Sequence, residues 1–260
     1  MIEIFPTPEV LADAAARHIV ACAADAISLR GRFTLVLAGG STPRAAYWRL
    51  ATGDWRLELD WGLVHLLWGD ERCVPPDDPR SNYRMVKEVL LDRVPIPPQQ
   101  IHRIRGEDEP DKAAAEYERE IRRLLCHPER IEGPDLVLLG LGKDGHTASL
   151  FPGQPAVHET ERWVVAVPGP SGGLWRVTLT PAVLNRARNV TFVVSGGAKA
   201  PALGQVLEEP FAPDLLPAQA IYPAQGLLMW MLDETAAGQL RPKWRRSDKA
   251  VRARTPRPEA

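Results

Sequence analysis

What this chain of 260 residues has little of narrows its function first. Cysteine is scarce: Cys22, Cys73 and Cys126 are odd in number and far apart. That excludes a disulfide framework and leaves no Cys/His spacing for structural zinc. Charge of one sign is also missing. Lys and Arg total 32 against 33 Asp and Glu, a formal net charge of -1, so no single-signed field draws the whole molecule to nucleic acid or an anionic membrane. No apolar run approaches the ~20 residues of a membrane span. The opening MIEIFPTPEVLADAAARHIV lacks the basic start and apolar core of a signal peptide. A reduced, cytoplasmic protein is expected, with no nucleic-acid or membrane partner.

Several chemical signatures are absent as well. No GK[ST] follows the glycine-rich stretch and no GxGxxG occurs, so a nucleotide is not implied. There is no HExxH and no Cys/His cluster, so no metal is expected, and no GxSxG elbow, which disfavours a serine hydrolase. Neither an internal repeat nor a Gly/Ser linker divides the chain. A single domain over 1–240 is expected, followed by a basic, Pro-rich tail over 241–260 that reads as disordered.

What is present is alternation. FTLVLA (Phe33–Ala38), LVHLLW (Leu63–Trp68), DLVLLG (from Asp135), WVVAV (Trp163–Val167), RVTLT (from Arg176) and VTFVVSG read as strands. Helical patterns lie between them at AAYWRL, at SNYRMVKEVLL with Ser81 as N-cap, at Asp111–Leu125 and at GAKAPALGQVL. LLMWML (Leu227–Leu232) is a last buried segment, helix or strand, before a helical DETAAGQL. Such βα alternation predicts an open, mostly parallel sheet with helices on both faces, of Rossmann-like type.

In such sheets ligands sit beyond the carboxyl ends of the strands, so the residues after each apolar run matter most. GGSTPR offers Gly39 and Gly40 for close backbone approach and the hydroxyls of Ser41 and Thr42. Pro43 suits a first helical turn, and Arg44 adds charge. An ordinary N-capped helix explains the same stretch equally well. GDER gathers Asp70, Glu71 and Arg72, either as a surface ion pair or as an acid and an anion holder. SGGAK places Lys199 at a helix start, where the dipole disfavours a cation unless it faces an anion. With Arg176 and the GGST loop, Lys199 would suit one phosphate group. KDGH is the sharpest signal. His146 is the side chain best placed to exchange a proton near neutral pH, and Asp144 or Asp70 could fix its tautomer. Asp135, at the opposite end of its strand, reads as structural.

VLAGGSTPRAAY, WGDERCVPPDDPRSNYRMVKEVLL, DLVLLGLGKDGHTASLFPG and VSGGAKAPAL resemble signature segments of the 6-phosphogluconolactonase family, and LPAQAIYPAQGLLMWMLDETAA resembles its closing segment. The similarity runs from Ile4 to Leu240. It implies a metal-free, cofactor-free α/β enzyme whose partner is a sugar phosphate, 6-phospho-D-glucono-1,5-lactone, hydrolysed in the pentose phosphate pathway. His146 then carries over as the acid/base, Asp144 as its support and Arg72 as oxyanion holder. Gly39, Gly40, Ser41, Thr42, Arg176 and Lys199 carry over as substrate and phosphate contacts. The loop PGPSGGLWR departs from the family's Lys-Pro-Pro type approach. Two rivals stand beside this reading. In glucosamine-6-phosphate deaminases an acidic residue follows the histidine loop where this chain has Phe151, and DEY stands for DER. A sugar-phosphate-sensing domain would need a DNA-binding module, and no helix-turn-helix region precedes Phe33.

Overall fold

The computed structural model describes residues 1–52, 55–127, 130–131 and 133–245. Its strands, in chain order, are β1 (Ile2–Phe5), β2 (Phe33–Leu37), β3 (Val64–Trp68), β4 (Asp70–Arg72), β5 (Ile101–His102), β6 (Cys126–His127), β7 (Arg130–Ile131), β8 (Leu136–Leu139), β9 (Val164–Val167), β10 (Arg176–Leu179), β11 (Asn189–Val194) and β12 (Leu227–Asp233). The α-helices are α1 (Pro8–Arg30), α2 (Ser41–Thr52), α3 (Trp55–Glu58), α4 (Asn82–Val89), α5 (Pro110–Leu125), α6 (Pro181–Leu184), α7 (Ala200–Glu208) and α8 (Pro242–Arg245).

Seven strands make one sheet, ordered β1-β12-β11-β8-β2-β3-β5, with every neighbouring pair parallel. Strands β2 and β8 are buried along their whole length. Parallel sheets are covered on both faces, which is why FTLVL and LVLL show no alternation. From β2 the chain steps outward to β3 and β5, and from β8 it steps the other way to β11 and β12. The order therefore reverses between β2 and β8, which are in register at Leu35↔Leu136 and Val36↔Val137. At such a switch point a crevice opens beyond the strand ends. The exits of β11, β8, β2 and β3, which carry SGGAK, GKDGH, GGSTPR and GDER, stand side by side around it.

The parallel sheet is not the whole architecture. WVVAV and RVTLT are strands, but β9 and β10 pair antiparallel with each other and with β4 in a separate three-stranded sheet. GDER is thus not a loop, since Asp70–Arg72 is β4 itself. Gly69 joins the two sheets: its N–H donates to Leu37 O of β2 at 2.9 Å and its carbonyl accepts from Leu179 N of β10 at 2.8 Å.

Other expectations need correcting. DETAAGQL forms only a 3-10 turn at Ala236–Gln239, because Asp233 stays in β12 and its carboxylate draws in the Ala236 N–H. LLMWML, open between helix and strand in the sequence, resolves as a strand, held between β1 and β11. The helix after Ser81 stops at Val89. The expected tail starts with structure: Trp244 packs on the core and Arg241 pairs with Glu208, while residues 246–260 lie outside the described residues.

Asp135 ties the amino ends of the strands together. It accepts from Thr34 N and Oγ1, both at 2.8 Å, and from Arg30 Nε at 2.9 Å, and it is 5% exposed. Removing one partner of such a buried set leaves the others uncompensated. Asp135→Ala should cost about 3 kcal/mol, a drop of roughly 6–12 °C in Tm, while kcat is unchanged because the site lies at the far strand ends. Thermal unfolding alongside an activity assay checks both halves.

Candidate active site

Two tyrosines set the strand ends that face the crevice. Tyr47 Oη accepts from Ala38 N at 2.9 Å and donates to Ala38 O, and Tyr117 Oη does the same for Trp68. Beyond Ala38 the chain must pass close to α4: a Cβ on Gly39 would lie 2.1 Å from Asn82 Oδ1. Gly40 then takes φ +104°, a region that favours glycine, and α2 begins at Ser41. The first turn of a helix has N–H groups without intrahelical acceptors, and those of Ser41 and Thr42 stand at the switch point. Arg44 is exposed one turn further on.

The histidine loop follows β8. His146 Nδ1 lies 2.5 Å from Asp144 Oδ1, and the same oxygen accepts the His146 backbone N–H at 3.3 Å. Burial raises the Asp144 carboxyl, but the His146 charge and these hydrogen bonds outweigh it and leave the group lowered. Gly142 makes the pair possible, since a Cβ there would meet His146 Nδ1 at 2.0 Å. The imidazole is half-exposed and lies 5.0 Å from the buried Phe151 ring, centroid to centroid. Asp70 does not take part in this pair. Its carboxylate accepts from Ser149 Oγ at 2.6 Å and Asn82 Nδ2 at 3.2 Å.

The small sheet brings the arginines together. In the β4–β10 ladder Arg72 sits directly opposite Arg176, and Asp70 opposite Thr178. Period-two alternation puts these four side chains on one face, the face that Ser149 meets through Asp70 and through Thr178 Oγ1. Like charges directly opposite one another are unfavourable, and the Nε atoms of both arginines are buried without a partner. Burial and the Arg72 charge lower Arg176, with Asp70 and Glu71 acting in the opposite sense. Such a pair calls for an anion. Glu71 does not supply it, because its carboxylate is taken up by the N–H groups of Arg72, Asn82 and Tyr83 and by Ser81 Oγ.

Lys199 closes the other side. It ends the 3-10 turn Gly197–Lys199 and caps the start of α7, the helix start at which the sequence places it. Burial, and then the charge of Lys143, lower its ammonium, while Asp144 pulls the other way, so Lys199 shares the field of the histidine loop. The turn is held by Asp233, which accepts from Ser195 Oγ at 2.5 Å, Gly196 N at 2.9 Å and Thr235 Oγ1 at 2.7 Å. The structure thus gathers the loops carrying Gly39 to Thr42, His146 with Asp144, and Lys199 at the carboxyl end of the parallel sheet, and sets the Arg72–Arg176 pair on the small sheet that Gly69 joins to it.

Residues 6–230 match the family described as glucosamine-6-phosphate isomerases/6-phosphogluconolactonase. The chain belongs to this family. Among relatives within it, a 6-phosphogluconolactonase of Synechocystis is 39% identical, over 93% of this chain and 98% of its own. One from Haemophilus influenzae is 35% identical, over 89% and 96%. The structure of 6-phosphogluconolactonase from Trypanosoma brucei superposes with a TM-score of 0.79 at 31% identity, covering 93% of this chain and 98% of that one.

Within this family's fold, sequence reasoning passed over three residues that build the site. Asp233, Ser149 and Asn82 act on groups distant along the chain, and only Asp233 left a local trace: an Asp followed by Glu-Thr at a strand exit is a common hydrogen-bonding turn.

Proposed function

We propose that this chain hydrolyses 6-phospho-D-glucono-1,5-lactone to 6-phosphogluconate, the lactone step of the pentose phosphate pathway, in the cytoplasm and without a metal. The observation that carries this reading is the His146–Asp144 pair at the switch point, with paired arginines on one side and Lys199 on the other. Among the described residues no group of three or more His, Cys, Asp or Glu side chains could hold a metal ion, and no helix is long and apolar enough to cross a membrane.

With Nδ1–H donated to Asp144, the Nε2 lone pair of His146 is the free base. It takes a proton from water as the water attacks the lactone carbonyl. Arg72 holds the oxyanion of the tetrahedral intermediate. As the ring C–O bond breaks, Nε2–H returns the proton to the departing ring oxygen, so the histidine ends neutral as it began. The N–H groups at Ser41 and Thr42, with Gly39 and Gly40 permitting close approach, hold the phosphate together with Arg176 and Lys199. Arg44 adds charge at longer range. Asp70 serves this site by positioning rather than by proton exchange.

The deaminase reading is disfavoured by Phe151. An apolar ring packed against the imidazole offers no acid for opening an amino-sugar ring. Purified protein should release acid from freshly generated 6-phosphogluconolactone well above the spontaneous rate, and no ammonia from glucosamine 6-phosphate. Ammonia release without a lactonase rate would reverse the assignment.

A further inference from the structure

Asp70 shares a face with two arginines, yet among the described residues neither forms an ion pair with it. Arg176 lies diagonally across the ladder from Asp70, within reach of a long side chain. A buried carboxylate beside an unpaired guanidinium would ordinarily close onto it. Two neighbouring donors prevent this. Ser149, 1% exposed, donates its hydroxyl to Asp70 Oδ2 at 2.6 Å and its N–H to Thr178 Oγ1 at 3.1 Å. Asn82 holds the other oxygen and also donates to Asp70 O at 2.9 Å. The residue before Ser149 shows how firmly this placement is imposed. Ala148 has φ +48°, a left-handed conformation that is strained for a non-glycine residue and persists only where the surroundings over-determine it.

We propose that Ser149 is a positioning residue that keeps the Asp70 carboxylate off Arg72 and Arg176, so that both meet the anionic substrate free of a carboxylate partner, Arg72 still donating from Nη1 to Arg80 O. Asp70 then supplies a nearby negative charge that offsets the arginine repulsion without occupying their donors. The same serine couples the histidine loop to the arginine face, so one hydroxyl sets the spacing between proton exchange and anion binding. This rests on the reading of the arginine pair as an anion site.

The test compares Ser149→Ala, Asp70→Asn, the double variant and Arg176→Ala. KM and kcat are measured on the phosphorylated lactone, and Kd for 6-phosphogluconate by calorimetry. In Ser149→Ala, Asp70 Oδ2 loses its donor and pairs with an arginine. KM and Kd should rise about tenfold, with kcat within roughly threefold, as for the loss of one charge-assisted contact. In the Asp70→Asn background the same serine change should add nothing, because no carboxylate is left to close on the arginines. Ser149→Cys, which keeps the size and weakens the donor, gives the same comparison should Ser149→Ala not fold. A fall in kcat at constant KM, or an equal rise in KM in the Asp70→Asn background, overturns the proposal and leaves Ser149 a packing residue of the histidine loop. If Arg176→Ala leaves KM unchanged, the anion-site reading fails and the proposal with it. If Arg176→Ala raises KM and Ser149→Ala does not, the positioning role fails alone.

Discussion

Replacing His146 by alanine should lower kcat by about 10²-fold or more, within the 10²–10⁴ that a positioned acid/base contributes. The fold should survive, because the imidazole is half-exposed and the side chain it hydrogen-bonds, Asp144, is itself exposed and can be solvated. KM should change little, since the phosphate is held by other loops. Because the lactone opens spontaneously in water, the uncatalysed rate must be subtracted at each substrate concentration. A paired Asp144→Asn variant sharpens the result. An amide can still hold the ring but no longer favours the tautomer with Nδ1–H, so it should also lose rate, though less than the alanine variant. A folded His146→Ala protein with near-normal kcat would reduce the loop to a turn.

The second large effect concerns selectivity for the phosphate. Lys199→Ala and Arg176→Ala should each lower kcat/KM on the phosphorylated lactone by roughly 10–100-fold, and have far less effect on unphosphorylated gluconolactone. A charge-assisted contact typically contributes ~1.5–3 kcal/mol, and it exists only while its anion is there. Lys199 should show the larger loss, because its turn is anchored by Asp233 and the Lys143 charge beside it is countered by Asp144. At position 176 part of the loss is offset, since removing one guanidinium relieves the repulsion with Arg72 across the ladder. Some of the deficit should fall on kcat, because distant binding energy also aligns the ring against His146. Equal losses on both substrates would place the phosphate elsewhere.

Much of this site could be read from the chain because strand exits in a parallel sheet are local. An unbroken apolar run followed by glycines and charges marks the place, and GGSTPR, GKDGH and SGGAK all fall there. Features that depend on distant residues could not be read. Helix α1 buries Ala12, Ala15, Ala16, Ala23 and Ala26 along with Leu11, Ile19 and Val20, and so small an apolar stripe gives weak periodicity. The turn of the chain at Gly69 into an antiparallel sheet depends on a bond from Leu179, more than a hundred residues on. Ser149 and Asp70 are separated by 79 positions, and no spacing rule links them. The glycine turn before Lys199 is local, whereas the bond from Ser195 to Asp233 that holds it spans 38 positions.

The opposed arginines give the fold a local cost. Two like charges face each other across the ladder, each with a buried, unpartnered Nε, so on the proposed reading a small oxyanion held there would act as a component of the folded state. A ligand present at about 100 times its Kd raises folding stability by about 2.7 kcal/mol, whatever its role in turnover. On that reading, melting temperatures taken in phosphate buffer should register occupancy of this site together with the strength of the core. The same ions should compete with substrate, so a buffer that makes the protein sturdier should also make it slower.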